Sequence, residues 1–250
     1  EPSEVWRQQT PATWRARTRD ISFLIDSIAM LQQQYPELGG KIDTARIGVS
    51  GHSIGAFTAM LVAGTRTFAD GTATSYADSR VRAAVIMSPV GPGETRGLTN
   101  ESFAEVKIPV MYMTGSADRG VTEAENEAWR RQAYELSPAG DKWYVSIAGA
   151  NHYAFAGRVA IPSVTATDTI DPVLPDSRDP RDPRTRPAIT GTQPYPARRV
   201  DRGFYSERAL TNVIRTVSLA FWDTYLKNEA RGREYLTKLN TRGDMTVVSK

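Results

Sequence analysis

Val81–Met87 reads VRAAVIM, with Arg82 as the only polar residue in the run. A strand that is apolar on successive residues buries both of its faces, and that requires a sheet covered by helices on both sides. Three further short runs, Ala45–Ser50, Val110–Thr114 and Lys142–Ile147, read as strands. Helical patterns lie among them. Ile21, Leu24, Ile25, Ile28 and Leu31 recur at helical spacing, with Asp20 as a candidate N-cap and Pro36 with Gly39-Gly40 as the stop. Ala56–Ala63 and the polar stretch Glu123–Leu136 read as helices, and Leu210, Val213, Ile214, Val217, Ala220 and Phe221 mark an amphipathic one. Strands alternating with helices specify an α/β class: a mostly parallel sheet with helices on both faces. A chain of 250 residues suffices for one such domain, and no internal repeat divides it.

One segment departs from this pattern. Asp171–Arg202 holds seven Pro and seven Arg in 32 residues and few aliphatics, so it reads as a long solvated loop, or else as a lid or partner-binding segment. Five Asp mixed among the Arg argue against nucleic acid there. The whole chain carries 31 Lys+Arg against 28 Asp+Glu, an excess too small for a nucleic-acid binder. With no cysteine, disulfides, thiolate catalysis and Cys-based zinc sites are excluded. Two separated histidines and scattered acids make no metal cluster, and no phosphate-binding or dinucleotide motif is present, so no metal or cofactor is expected. No apolar run is long enough for a membrane span.

Gly51-His52-Ser53-Ile54-Gly55 sits where a strand pattern gives way to a helical one. A serine at a sharp strand-to-helix turn is forced into a strained backbone conformation. Glycines two before and two after it leave room for strand and helix to approach closely. The hydroxyl then projects beyond the strand's carboxyl end, at a helix N-terminus where an anion is favoured. The Ile54 N–H is the candidate oxyanion donor.

A serine nucleophile needs a base, and the chain has two histidines. His52 precedes Ser53 in the turn, so its side chain is expected to point away from the hydroxyl and pack near the sheet end. His152, in SIAGANHYAF, follows the fourth strand and lies on the same rim as the turn. The orienting carboxylate is expected from Asp118, in PVMYMTGSADRGV, again just past a strand; the alternative is that Asp118 only caps its turn. The order Ser53, Asp118, His152 is one of the known orders for such a triad.

These stretches, with RTRDISFLIDSI, GKIDTARIGVSGHSIGAFTAM, DSRVRAAVIMSPVGPG and SLAFWDTYLKNEARGREYL, resemble the α/β-hydrolase superfamily, specifically the bacterial dienelactone-hydrolase-like and platelet-activating-factor-acetylhydrolase-like esterases. The resemblance implies Ser53 as nucleophile, Asp118 as acid, His152 as base and a small-molecule ester as substrate. Dienelactone hydrolases proper use Cys where this chain has Ser. In the superfamily several strands precede the elbow, and a His-Gly loop among them supplies a second oxyanion N–H. Here about 45 residues precede it, with one helix and no such loop. The chain, which begins at Glu1, thus resembles the C-terminal portion of a larger hydrolase. The free side of its elbow strand is expected either to be exposed or to be covered by an upstream segment, a partner chain or a dimer mate, unless the strands are arranged differently from the family's. The loop from Ser88 to Gly93 is the internal candidate for the second donor.

Three functions stay open on the sequence: an esterase working through an acyl-enzyme, an acyltransferase, and a weakly active or non-catalytic module whose oxyanion hole is incomplete.

Overall fold

A computed structural model describes residues 8–69, 71–156, 207–239 and 243–250. The Pro/Arg-rich segment 171–202 lies outside the described residues. Among the described residues there are seven strands: β1 Ile47–His52, β2 Thr67–Ala69, β3 Thr72–Thr74, β4 Val81–Met87, β5 Val110–Ala117, β6 Lys142–Asn151 and β7 Met245–Ser249. Five helices accompany them: α1 Pro11–Gln34, α2 Ile54–Val62, α3 Glu127–Leu136, α4 Glu207–Tyr225 and α5 Ala230–Lys238.

The main sheet has the order β1-β4-β5-β6-β7. Its first four strands are parallel, and β7 returns antiparallel along β6. β2 and β3 form a separate antiparallel pair. The sheet is covered on both faces, so the class is α/β as expected. Within β4, Ala84 and Ile86 join one core with Phe57, Met60 and Leu61 of α2, while Ala83 and Val85 join the other with Val217 and Phe221 of α4. This alternation explains the unbroken apolar run. Gly48 of β1 admits α4: a Cβ there would stand 2.6 Å from the Trp222 ring.

Several boundaries differ from the sequence expectations. α1 starts at Pro11, with Thr10 as its N-cap accepting the Thr13 N–H, and Asp20 lies mid-helix. The apolar stripe runs back through buried Trp14 and Thr18, whose hydroxyl donates to the Trp14 carbonyl at 2.9 Å. A polar residue so satisfied can occupy a core position, and this hid the first turns. α1 ends at Gln34, just before Pro36. α3 begins at Glu127 because the Asn126 side chain caps it by accepting the Trp129 N–H. Among the described residues β1 has β4 as its one neighbour and forms a sheet edge.

Candidate active site

β1 passes into α2 through one residue. Ser53 has φ 56° and ψ −116°, a positive-φ conformation that non-glycine residues rarely adopt. Its N–H donates to the Met87 carbonyl at 3.1 Å, and its carbonyl accepts the Phe57 N–H at 3.0 Å, so β4 and the first turn of α2 both hold it. The two flanking glycines are not equivalent. A Cβ on Gly51 would stand 2.1 Å from the Gly55 carbonyl oxygen, whereas a Cβ on Gly55 would meet nothing within 4 Å. Only the first glycine is required by close approach of strand and helix, and the expectation of two spacers is corrected to one.

His152 follows β6 directly, at the head of the 3-10 turn His152–Ala156. The Asn151 side chain accepts the N–H groups of Tyr153 and Ala154, both at 3.0 Å, and fixes that turn. Asp118 follows β5 and is fully buried. The ends of β5 and β6 come close because Gly115 has no side chain: a Cβ there would lie 2.2 Å from the Ala150 carbonyl oxygen.

The three side chains anticipated from the sequence meet. His152 Nε2 lies 3.0 Å from Ser53 Oγ, across 99 residues of chain. His152 Nδ1 lies 3.0 Å from Asp118 Oδ1. In the tautomer with its proton on Nδ1, the imidazole donates to the carboxylate and accepts from the serine hydroxyl. Thr114 Oγ1 donates to Asp118 Oδ2 at 2.9 Å. The Asp118 carboxylate thus does more than cap its turn.

Three contacts escaped the sequence reading: Thr114 on Asp118, His52 on His152, and Arg130. His52 packs on the base: the two imidazole centroids are 4.6 Å apart. Arg130, on α3, is only 3% exposed. Its Nε lies 3.0 Å from Asp118 Oδ1 but its N–H is not aimed along a hydrogen bond, so the contact is an ion pair. A signal for Arg130 was available, since it shares a helical stripe with buried Ala133 and Tyr134.

Charge follows from this packing. Burial by itself would raise the Asp118 carboxyl; the His152 hydrogen bond and the Arg130 charge outweigh it and hold the group below the ordinary carboxylate value. Burial lowers the Arg130 guanidinium, against the pull of Asp118 and Glu125. Burial, then the neighbouring His152, lowers His52 to about 4, so it is neutral at pH 7.

Ile54 opens α2, and its N–H belongs to a first turn whose donors have no intrahelical acceptor. The loop from Ser88 to Gly93 offers few donors. The Ser88 N–H is bonded to the Met113 carbonyl at 2.7 Å and the Gly93 N–H to the Leu98 carbonyl at 2.9 Å. Residues 89 and 92 are prolines without an N–H. Among the described residues no three His, Asp or Glu side chains cluster as metal ligands would, and no helix is long and apolar enough to cross a membrane.

A hydroxyl bonded to an imidazole that a buried carboxylate holds can lose its proton as it attacks an electrophile. No family model and no curated protein matches the chain. Among solved structures, the esterase Pf2001 of Pyrococcus furiosus is similar at 18% identity and a TM-score of 0.30, over 50% of this chain; the chain spans 50% of that structure's length.

Proposed function

We propose that this chain is a serine hydrolase of the α/β-hydrolase type, cleaving small carboxylic esters through an acyl-enzyme. One observation carries the reading: the continuous hydrogen-bonded array Ser53–His152–Asp118, with 3.0 Å at each step, at the carboxyl ends of parallel strands. In this mechanism Ser53 Oγ attacks the ester carbonyl carbon while His152 Nε2 takes its proton. Asp118 keeps the other imidazole proton on Nδ1 and stabilises the imidazolium. The tetrahedral oxyanion forms beside the N-terminus of α2, where the Ile54 N–H donates to it. His152 then returns the proton to the departing alcohol oxygen, leaving the acyl group on Ser53. A water then attacks the acyl carbon while His152 Nε2 takes its proton; the Oγ–acyl bond breaks, His152 returns that proton to Ser53 Oγ, and the acid leaves with both groups restored.

A second reading keeps the array but makes the enzyme weak. It is favoured by the loop from Ser88 to Gly93, where the Ser88 and Gly93 donors are already bonded. Loss of one oxyanion donor costs on the order of 10²- to 10³-fold in turnover.

The test is hydrolysis of p-nitrophenyl acetate and butyrate together with labelling by a fluorophosphonate probe. The expected result is label on Ser53 alone, and loss of both signals in Ser53→Ala. Full hydrolysis by that variant would remove Ser53 as the nucleophile.

A further inference from the structure

The guanidinium of Arg130 reaches four groups at once. Nη1 donates to the carbonyls of Ser88, at 3.2 Å, and Pro89, at 3.0 Å. Nε stands 3.0 Å from Asp118 Oδ1, the same oxygen that faces His152 Nδ1. Nη2 stands 3.3 Å from His152 Nδ1 itself. Tying the loop after β4 to α3 uses Nη1 alone; the other two nitrogens are turned toward the acid and the base.

His152 Nδ1 therefore faces two groups of opposite demand. The carboxylate only accepts, and the guanidinium only donates. With the proton on Nδ1, His152 donates to Asp118 and Nε2 is free to accept from the Ser53 hydroxyl. With the proton on Nε2, the Nδ1 lone pair accepts from Arg130 Nη2, and Nε2–H points at Ser53 Oγ and cannot take its proton. Once His152 is an imidazolium, Asp118 attracts it and Arg130 repels it. Among the described residues, the remaining charged or titratable groups nearby are His52 at the end of β1, Tyr153 beside the ring, and Glu125, which is paired with Arg96.

We propose that Arg130 is a positioning residue: it shares Asp118 with His152 and competes for Nδ1, and so sets the tautomer and charge that the base presents to Ser53. The proposal rests on the hydrolase reading for its functional meaning, but the coupling can be measured without activity.

The experiment is an ¹⁵N NMR titration of the imidazole nitrogens in the wild type, Arg130→Gln and Arg130→Lys. The chain has two histidines, and His52→Gln assigns them. Glutamine keeps a donor for the loop carbonyls and removes the charge. In Arg130→Gln, with the repelling charge gone, the His152 midpoint is expected to rise and the neutral ring to shift toward Nδ1–H. The acidic limb of kcat/KM on a p-nitrophenyl ester should move upward with it. Arg130→Lys, which keeps the charge, should bring the midpoint most of the way back. An unchanged His152 midpoint in Arg130→Gln overturns the proposal and leaves Arg130 a structural tie. Should that variant not fold, the wild type still decides: the Arg130 Nε–H resonance should move through the His152 titration, and a flat response sinks the idea. The two readings separate cleanly. A moved midpoint with hydrolysis intact in Ser53→Ala supports the coupling and defeats the hydrolase. Hydrolysis lost in Ser53→Ala with an unmoved midpoint does the reverse.

Discussion

The imidazoles of His52 and His152 lie 4.6 Å apart between centroids and are tilted by 45° to each other. Two rings that can both carry a proton thus share one partly buried space. His52 resists protonation there, with its folded value lowered from 6.5 to about 4 by burial first and His152 second.

This gives a stability signature in acid. Between about pH 6.5 and 4 the unfolded chain binds a proton at His52 that the folded chain refuses, so stability falls as the pH drops through that window. At about 1.4 kcal/mol per pH unit the gap is worth roughly 3 kcal/mol, and about 2 kcal/mol after allowance for the ring's partial exposure. Urea unfolding at pH 7, 5.5 and 4.5 should show this slope in the wild type and a flatter one in His52→Gln. Equal slopes would mean that His52 is not the group responsible. Asp118, lowered in the fold, withdraws its contribution only at still lower pH, as it becomes protonated.

The two glycines of the turn should respond oppositely to alanine. Gly51→Ala places a Cβ against the backbone of α2 at 2.1 Å, so the turn must open. We expect a loss of about 3 kcal/mol or more and no ester hydrolysis. Gly55→Ala meets open space in the first turn of α2 and should raise stability by about 0.5–1 kcal/mol. Thermal unfolding of the pair checks both; a tolerated Gly51→Ala would refute the close-approach account.

Asp118→Asn should be costly twice. The amide no longer enforces the Nδ1–H tautomer, and turnover should fall about 10³-fold or more. It also leaves the Arg130 guanidinium buried without its carboxylate, and stability should fall by about 3 kcal/mol. Ester assays and urea midpoints on the same preparation measure the two effects. Turnover within tenfold of the wild type would mean that Asp118 does not set the His152 tautomer for catalysis.

The outer edge of β1 and the exposed face of α1 predict self-association of the expressed chain. Phe23, Leu24 and Met30 are 66%, 56% and 55% exposed, and β1 has one strand neighbour among the described residues. Size-exclusion chromatography should show dimers or larger species, reduced by Phe23→Lys with Met30→Lys. A monomer at all concentrations would show that this edge and face do not associate.

Local order along the chain determined a good deal. Continuous apolar runs such as VRAAVIM require burial on both faces, and they carried the parallel sheet and its helical layers. A serine between glycines at a strand-to-helix junction marked Ser53, and there the tight junction holds this non-glycine residue at φ 56°. His152 and Asp118 were legible because each follows a strand, and parallel strands bring such ends to one rim. Less was legible where polar residues are buried: Thr18 concealed the first turns of α1, and β7 is a short strand whose antiparallel place on β6 no local pattern announces.

The tertiary structure alone decided which neighbours those residues have. Arg130 and Arg131 are adjacent and chemically alike, yet the first is 3% exposed and the second's side chain 42%, because the packing of α3 on β5 and β6 turns one inward. The packing of His52 against His152, and the 3.0 Å contacts that Asp118 Oδ1 makes with both Arg130 and His152, depend on strand register and helix packing between distant segments. Periodicity records which face of an element is apolar. It carries no information on what the opposite element places against that face, and for a buried charge that neighbour is what determines its chemistry.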